Sequence, residues 1–186
     1  MITVSTSILP ERNYHHGDLR KALVEAGLAA LNVADSEALS LRALARDVGV
    51  SATAVYRHFP DKQALLAALA AEGIILLGNA QRIAAVAAGG GNAGFAATGR
   101  AYVRFAIANP ALFRLMFTHA ETLASTVPGD HEAGRMLHAN AIAKAGSAHE
   151  ARRVEVQSWA IAHGLAMLIL DGRLPPSDSL IDEIVG

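Results

Sequence analysis

The sequence predicts an all-α chain in which an N-terminal three-helix unit of helix-turn-helix form is joined by one long helix to a helical C-terminal domain. Three observations carry this expectation. Apolar residues recur at three- and four-residue steps along most of the 186 residues, the spacing that lines one face of a helix. The composition is 52% hydrophobic but only 5% aromatic, and alanine and leucine supply the apolarity, which favours helices over strands. Glycine, proline and capping residues punctuate the periodic stretches at helix-length intervals. No strand and no internal repeat is evident.

The same numbers exclude several classes. A chain of this length makes one domain, or two small ones sharing a core, and its apolar content excludes intrinsic disorder. The absence of cysteine excludes a disulfide framework, a thiol nucleophile and a Cys-ligated zinc. Glu72, Asn79, Gln81 and Arg82 interrupt the most apolar run, so no membrane span is expected. The N-terminus lacks the charged and apolar regions of a secretory signal. Residues 1–13 read as a flexible tail, 14–62 as a three-helix domain and 63–186 as a helical C-terminal domain, in a soluble cytoplasmic protein.

The first helix is expected to start between Tyr14 and Asp18 and to run to Leu31, with Leu19, Ala22, Leu23, Ala26, Ala29 and Ala30 as its apolar stripe. Ser40 caps a second helix in which Leu41, Leu44, Ala45 and Val48 share one side, and Gly49 ends it. Ser51 caps a short third helix to about His58, anchored by Val55 and Phe59 and stopped by Pro60. Asp61 caps a long fourth helix, Lys62 to about Ala88, apolar almost all round after Leu65. Gly89, Gly90, Gly91 and Asn92 read as a linker. Further helices are expected at about 93–108, 111–118, 130–145, 148–172 and 177–185, separated by Asn109-Pro110, by 127–129, by Gly146 and by Pro175-Pro176.

Leu41 to Phe59 is the most informative stretch. A small residue at Ala45 lets one helix cross closely over another, and Gly49, four residues later, suits a left-handed turn. Such a pair of helices presents the N-terminal end of the second one to a major groove. Ser51, Ala52, Thr53, Tyr56 and Arg57 are then the outward residues.

From Leu41 to Leu66 the sequence resembles the TetR family of transcriptional repressors. The most specific part is Ser51 to Leu65, with Val55, Tyr56, Arg57, His58, Phe59, Pro60, Asp61, Lys62, Ala64 and Leu65 matching the family's recognition helix and the start of its connecting helix. The second half resembles a subgroup whose ligand domain carries Trp-x-x-x-His-Gly, here Trp159, His163 and Gly164, preceded by Asn109 to Phe117. The resemblance implies a homodimer that binds a double-stranded, palindromic operator through Arg42, Ser51, Ala52, Thr53, Tyr56, Arg57, His58 and Lys62, and that represses until a small effector releases it. It implies that the Tyr56 hydroxyl reaches a phosphate; packing against the first helix is the competing reading. Lys62 stands beside the recognition helix as a phosphate contact or as a solvated charge.

Residues 1–62 hold seven basic and seven acidic side chains, so DNA binding would need Arg42, Arg57, Lys62 and the histidines gathered on one face. In the C-terminal half, Trp159 and His163 lie four residues apart on one helix face. His163 is open to two readings, a hydrogen-bonded core residue or a ligand contact. The resemblance implies an effector cavity, for which Tyr102, Phe105, Met116, Phe117, Met136, Asn140, Trp159 and His163 are the candidates, and a largely apolar wall calls for a small apolar ligand. It also places the dimer face on the last two helices, where Ala160, Gly164, Met167 and Leu168 are candidates.

Other classes have less support. No nucleophile–base arrangement is apparent, and Gly89 to Gly91 lacks the Gly-Lys-Ser/Thr ending of a phosphate loop, so an enzyme is not expected. No cofactor or metal is expected; Asp130, His131, Glu132 and His138 would be the ligands of a competing metal reading. A helical interaction module that has lost DNA binding is the other competitor, supported by the balanced charge of the N-terminal domain.

Overall fold

A computed structural model of the chain describes residues 16–118 and 132–185, and it is all helical among those residues. The helices are α1 (His16–Leu31), α2 (Leu41–Val48), α3 (Ala52–Tyr56), α4 (Lys62–Ala87), α5 (Gly91–Ala108), α6 (Pro110–Thr118), α7 (Glu132–Lys144), α8 (Ala148–Leu170) and α9 (Asp178–Val185), with a 3-10 turn at Ser36–Ala38 between α1 and α2. The expected tail and the Val127–Gly129 break lie outside the described residues.

The local chemistry that ends each helix is visible in the backbone. Gly49 sits at φ 77, ψ 34, and the amides of Gly49 and Val50 donate to the carbonyls of Arg46 and Ala45 at 3.1 and 2.9 Å. These bonds satisfy the last carbonyls of α2 in the manner of a Schellman turn, a conformation that a side chain with Cβ resists. Ser51 Oγ accepts from Ala54 N at 3.2 Å and opens α3; Asp61 Oδ1 accepts from Ala64 N at 2.8 Å and opens α4. The last turn of α3 runs on in the amides of His58 and Phe59, both donating to the Val55 carbonyl at 2.9 Å.

The connection between α1 and α2 contains the 3-10 turn Ser36–Ala38, with Asp35 at its N-cap. The glycine linker is shorter than expected, because Gly91 and Asn92 belong to α5 and Gly90 is its N-cap; glycine is well tolerated at a cap, where no side-chain packing is demanded.

One continuous core runs through both halves. Leu23, Leu44, Val55, Phe59, Leu65 and Leu69 are buried together at the N-terminal end, where α1 packs on α2 and α4, and α2 on α3. The core continues through Leu77, Val103, Phe113, Met116 and Ala166, where α4 packs on α5, α6 and α7, and α5 on α8. Helix α4 is long and apolar enough to cross a membrane by length and composition, contrary to the expectation that its polar residues would interrupt it. Its buried line, Leu65, Leu69, Gly73, Leu77 and Gln81, is that of a core helix covered by its neighbours. Salt bridges from Arg104 to Asp178 at 2.8 Å and from Arg100 to Asp182 at 3.5 Å draw α9 onto α5.

Helix α6 comes close to α4 at Gly73. A Cβ there would stand 2.8 Å from Met116 Cγ and Sδ and 3.0 Å from Leu112 Cδ1, and Met116 is fully buried. Gly73→Val should therefore overpack the junction and cost about 1–3 kcal/mol, read as a lowered midpoint in thermal unfolding. Restoration by Met116→Ala in the double variant would locate the strain at this contact, and unchanged melting of Gly73→Val would contradict the packing described.

Candidate nucleic-acid reader and effector cavity

The N-terminal domain sets a short helix at a fixed angle on a buried base. Val55 and Phe59 are inserted into the core, and Arg20 lies 5.3 Å over the Phe59 ring. With those anchors inward, Ser51, Thr53, Tyr56 and Arg57 face solvent, and Ala52 and His58 are half-buried. Tyr56 is 44% exposed, so its ring is not packed away in the core. Arg42, on the first turn of α2, is also exposed. Lys62 is half-buried, and its Nζ donates to the Glu37 carbonyl at 2.5 Å. The first turn of α4 is thus fastened to the 3-10 turn, a contact 25 residues apart in sequence.

In the C-terminal domain a cavity of about 500 Å³ opens among α4, α5, α6, α7, α8 and α9. Its wall includes Ile74, Leu77, Phe95, Tyr102, Phe117 and Trp159, so aromatic and aliphatic surface predominates. Among the described residues Lys144 is the one charged residue on the wall, and its Nζ lies 4.3 Å over the Phe95 ring.

Behind the wall is a chain of hydrogen bonds. Trp159 Nε1 donates to the Tyr102 hydroxyl at 3.4 Å, and that hydroxyl lies 2.9 Å from His163 Nδ1. The Tyr102 hydroxyl therefore joins the Trp159 indole to the His163 imidazole, accepting from the first and sharing a hydrogen bond with Nδ1 of the second. Burial raises the Tyr102 pKa, with the Trp159 bond acting in the opposite sense, and burial lowers that of His163. Both groups are held neutral near pH 7, as desolvation dictates. The His163 ring also packs against Phe117 and Phe113, with centroids 4.7 and 5.7 Å away.

The structure brings together part of the candidate set. Tyr102, Phe117 and Trp159 border the cavity, and His163 supports Tyr102 from behind. Met116 is buried in the core against Gly73. Phe105 borders a shallower groove, shared with Ala80, Ala84 and Ala108. Met136 and Asn140 are bound to each other instead, the Asn140 amide donating to the Met136 carbonyl at 2.7 Å. Helix α7 turns Gly134, Leu137 and Lys144 to the cavity, a stripe displaced from the one that helical facing selected.

Gln81 is one of the wall residues that sequence reading missed, with Ile74, Leu77, Phe95 and Lys144. It extends the Ile74 and Leu77 stripe of α4 and is 9% exposed. Its Nε2 donates to the Thr98 carbonyl at 3.2 Å, while its Oε1 is buried with no partner among the described residues. An unpaired buried acceptor costs roughly 1–3 kcal/mol. A polar residue recurring on an apolar stripe was the available signal.

Of the residues in the competing metal reading, Asp130 and His131 lie outside the described residues, and His138 Nδ1 meets the buried Glu155 Oε2 at 3.1 Å. On the outer side of α8, Ala160 is exposed and Leu168 is 46% exposed, while Gly164 and Met167 are half-buried. A Cβ at Gly164 would meet nothing within 4 Å, so small size there is not required by packing inside the protomer.

The lowered His163 pKa gives a testable pH dependence. The unfolded chain takes up this proton near the ordinary value of 6.5, and the folded chain only at lower pH, so the contribution is present above 6.5 and is lost as pH falls. Denaturant unfolding at about pH 7.5 and pH 5 should show a smaller acid loss of stability in His163→Gln than in wild type. Equal losses would contradict the buried neutral imidazole.

Comparison with known proteins follows the same division of the chain. Residues 23–69 match the family model described as bacterial regulatory proteins, tetR family, and residues 95–185 match a tetracyclin repressor-like C-terminal domain. A solved protein of unknown function from Rhodococcus sp. RHA1 is 35% identical, with 94% of this chain and 93% of that one covered and a TM-score of 0.73. A solved structure of a protein assigned a regulatory role, SCO4313, is 21% identical, with 95% and 97% covered and a TM-score of 0.63, and shows likeness of fold. No curated protein matches significantly. With both halves matched in order, the chain belongs to the tetR family of bacterial regulatory proteins and is a helix-turn-helix DNA-binding transcription regulator.

Proposed function

We propose that this regulator is a repressor that binds a palindromic operator as a homodimer and is released by a small, largely apolar effector, and that its C-terminal domain is of the Trp-x-x-x-His-Gly kind. The observation that carries the reading is the join between cavity and reader. Helix α6 supplies Phe117 to the cavity wall, presses Met116 on Gly73 of α4, and touches both α1 and the 3-10 turn. Glu37 of that turn holds Lys62. A ligand that moves α6 therefore acts on the same turn that positions a phosphate-contacting lysine.

Arg42, Ser51, Ala52, Thr53, Tyr56, Arg57, His58 and Lys62 are proposed as the DNA contacts. Base preference rests with Thr53 and its neighbours, and register rests with Tyr56 and Lys62 on phosphates. Two half-sites about 34–36 Å apart require two copies of α3. The exposed apolar residues Val156 and Leu168 on α8, with Ala160, Gly164 and Met167 beside them, supply a surface for a second protomer. The protein acts in the cytoplasm, where its operator is, and needs no cofactor.

Selection from a random duplex pool should return a symmetric motif. On that duplex, Lys62→Gln, which keeps a donor for the Glu37 carbonyl, should weaken binding to all sequences about equally and reduce the log-log salt slope by about one per half-site. Asymmetric selected sequences, or an unchanged slope with a folded variant, would contradict the operator reading. A chain that folds and dimerises but enriches no duplex would favour a protein-interaction module.

A further inference from the structure

Among the buried side-chain polar atoms of the described residues, one is left without a hydrogen-bond partner, and it belongs to a cavity-wall residue. The Tyr102 hydroxyl has both Trp159 and His163 as partners, and Thr98 Oγ1 donates to the Phe95 carbonyl at 2.7 Å. Gln81 differs. Its bond to the Thr98 carbonyl fixes the orientation of the carboxamide, because the flipped form would set oxygen against oxygen. The atom left over is therefore Oε1, an acceptor, buried and unpartnered among the described residues, on a side chain that borders the cavity.

We infer that the effector is a mainly apolar molecule without positive charge that carries a hydroxyl or N–H group, and that this group donates a hydrogen bond to Gln81 Oε1. The inference rests on the cavity being the effector site. Buried acceptors in folded proteins are almost always satisfied, and no described residue offers a donor here. A site built to bond a donor rejects the analogue that lacks it far more strongly than an apolar pocket rejects a change of one methyl group. Oε1 has essentially no accessible surface in the ligand-free structure, so the inferred bond requires the seated ligand to displace the atoms that cover it. The aromatic wall of Phe95, Tyr102, Phe117 and Trp159 suits an aryl or alkyl body. Lys144 on the wall, with no carboxylate beside it among the described lining residues, disfavours a cation.

The test compares 4-hexylphenol with 4-hexylanisole, which share a body and differ in the donor. Trp159 is the single tryptophan of the chain and borders the cavity, so its emission, excited at the red edge of its absorption where the phenol is transparent, reports occupancy in the full-length protein. Wild type should bind the phenol at least about tenfold more tightly, a difference of about 1.4 kcal/mol. In Gln81→Leu the ratio should fall below about threefold while the anisole still binds, which shows that the cavity is intact; Gln81→Met serves the same purpose if the leucine variant is unstable. Equal binding of the two compounds by wild type, or a phenol preference that survives both substitutions, would overturn the donor bond and leave the cavity as effector site standing. If neither compound alters Trp159 emission or the melting temperature, the cavity reading falls and the inference falls with it.

Discussion

The rest of the structure depends on the close seating of α6 against α4 at Gly73. Helix α4 runs unbroken from Lys62 to Ala87, and its residues belong to the cores of both halves. Such a rod transmits displacement from one end to the other because packed helices do not deform gradually. Without a side chain at Gly73, Met116 fills the space directly over the α4 backbone. Helix α6 is held on its other side by Arg114, whose guanidinium pairs with Asp171 at 2.6 Å and bonds the Leu170 carbonyl at 3.1 Å. It is a short element fixed between the connecting helix and the end of α8, with its Phe117 at the cavity.

Polar satisfaction divides the C-terminal half into a finished part and an unfinished one. The Trp159, Tyr102 and His163 groups close on one another, so burial costs them little and they stiffen the wall. Gln81 is bonded at one atom and not at the other. A folded protein tolerates a cost of this size where function recovers it. The reader shows the same logic at its surface: its anchors are fully buried, while Arg42, Ser51, Thr53, Tyr56 and Arg57 face solvent.

Where sequence reading succeeded, the determinants were local. Gly49, Ser51 and Asp61 act within four residues of themselves, through a left-handed turn and two caps, so their roles were legible without knowing the fold. The Ala45 to Phe59 spacing was legible for the same reason. The contacts that were missed are long-range. The Lys62 bond to Glu37 spans 25 residues, and the 3-10 turn that offers the carbonyl has no periodic signal. The wall residues of α7 depend on a helix rotation set by α4 and α8, and facing alone placed Met136 and Asn140 where Leu137 stands. Gln81 was seen as a break in an apolar run, whereas its importance comes from what the tertiary fold leaves opposite its oxygen.

The central claim is that cavity and reader are one thermodynamic system. Its most direct test is fluorescence anisotropy of the selected duplex titrated with protein, with and without 4-hexylphenol at a concentration that saturates Trp159 emission. The account predicts operator binding weakened about tenfold, and phenol binding weakened by the same factor when operator is present, since linkage is reciprocal and corresponds to about 1.4 kcal/mol. A cavity that fills while the operator titration stays superimposable would contradict it, because a ligand with equal affinity for two states shifts neither.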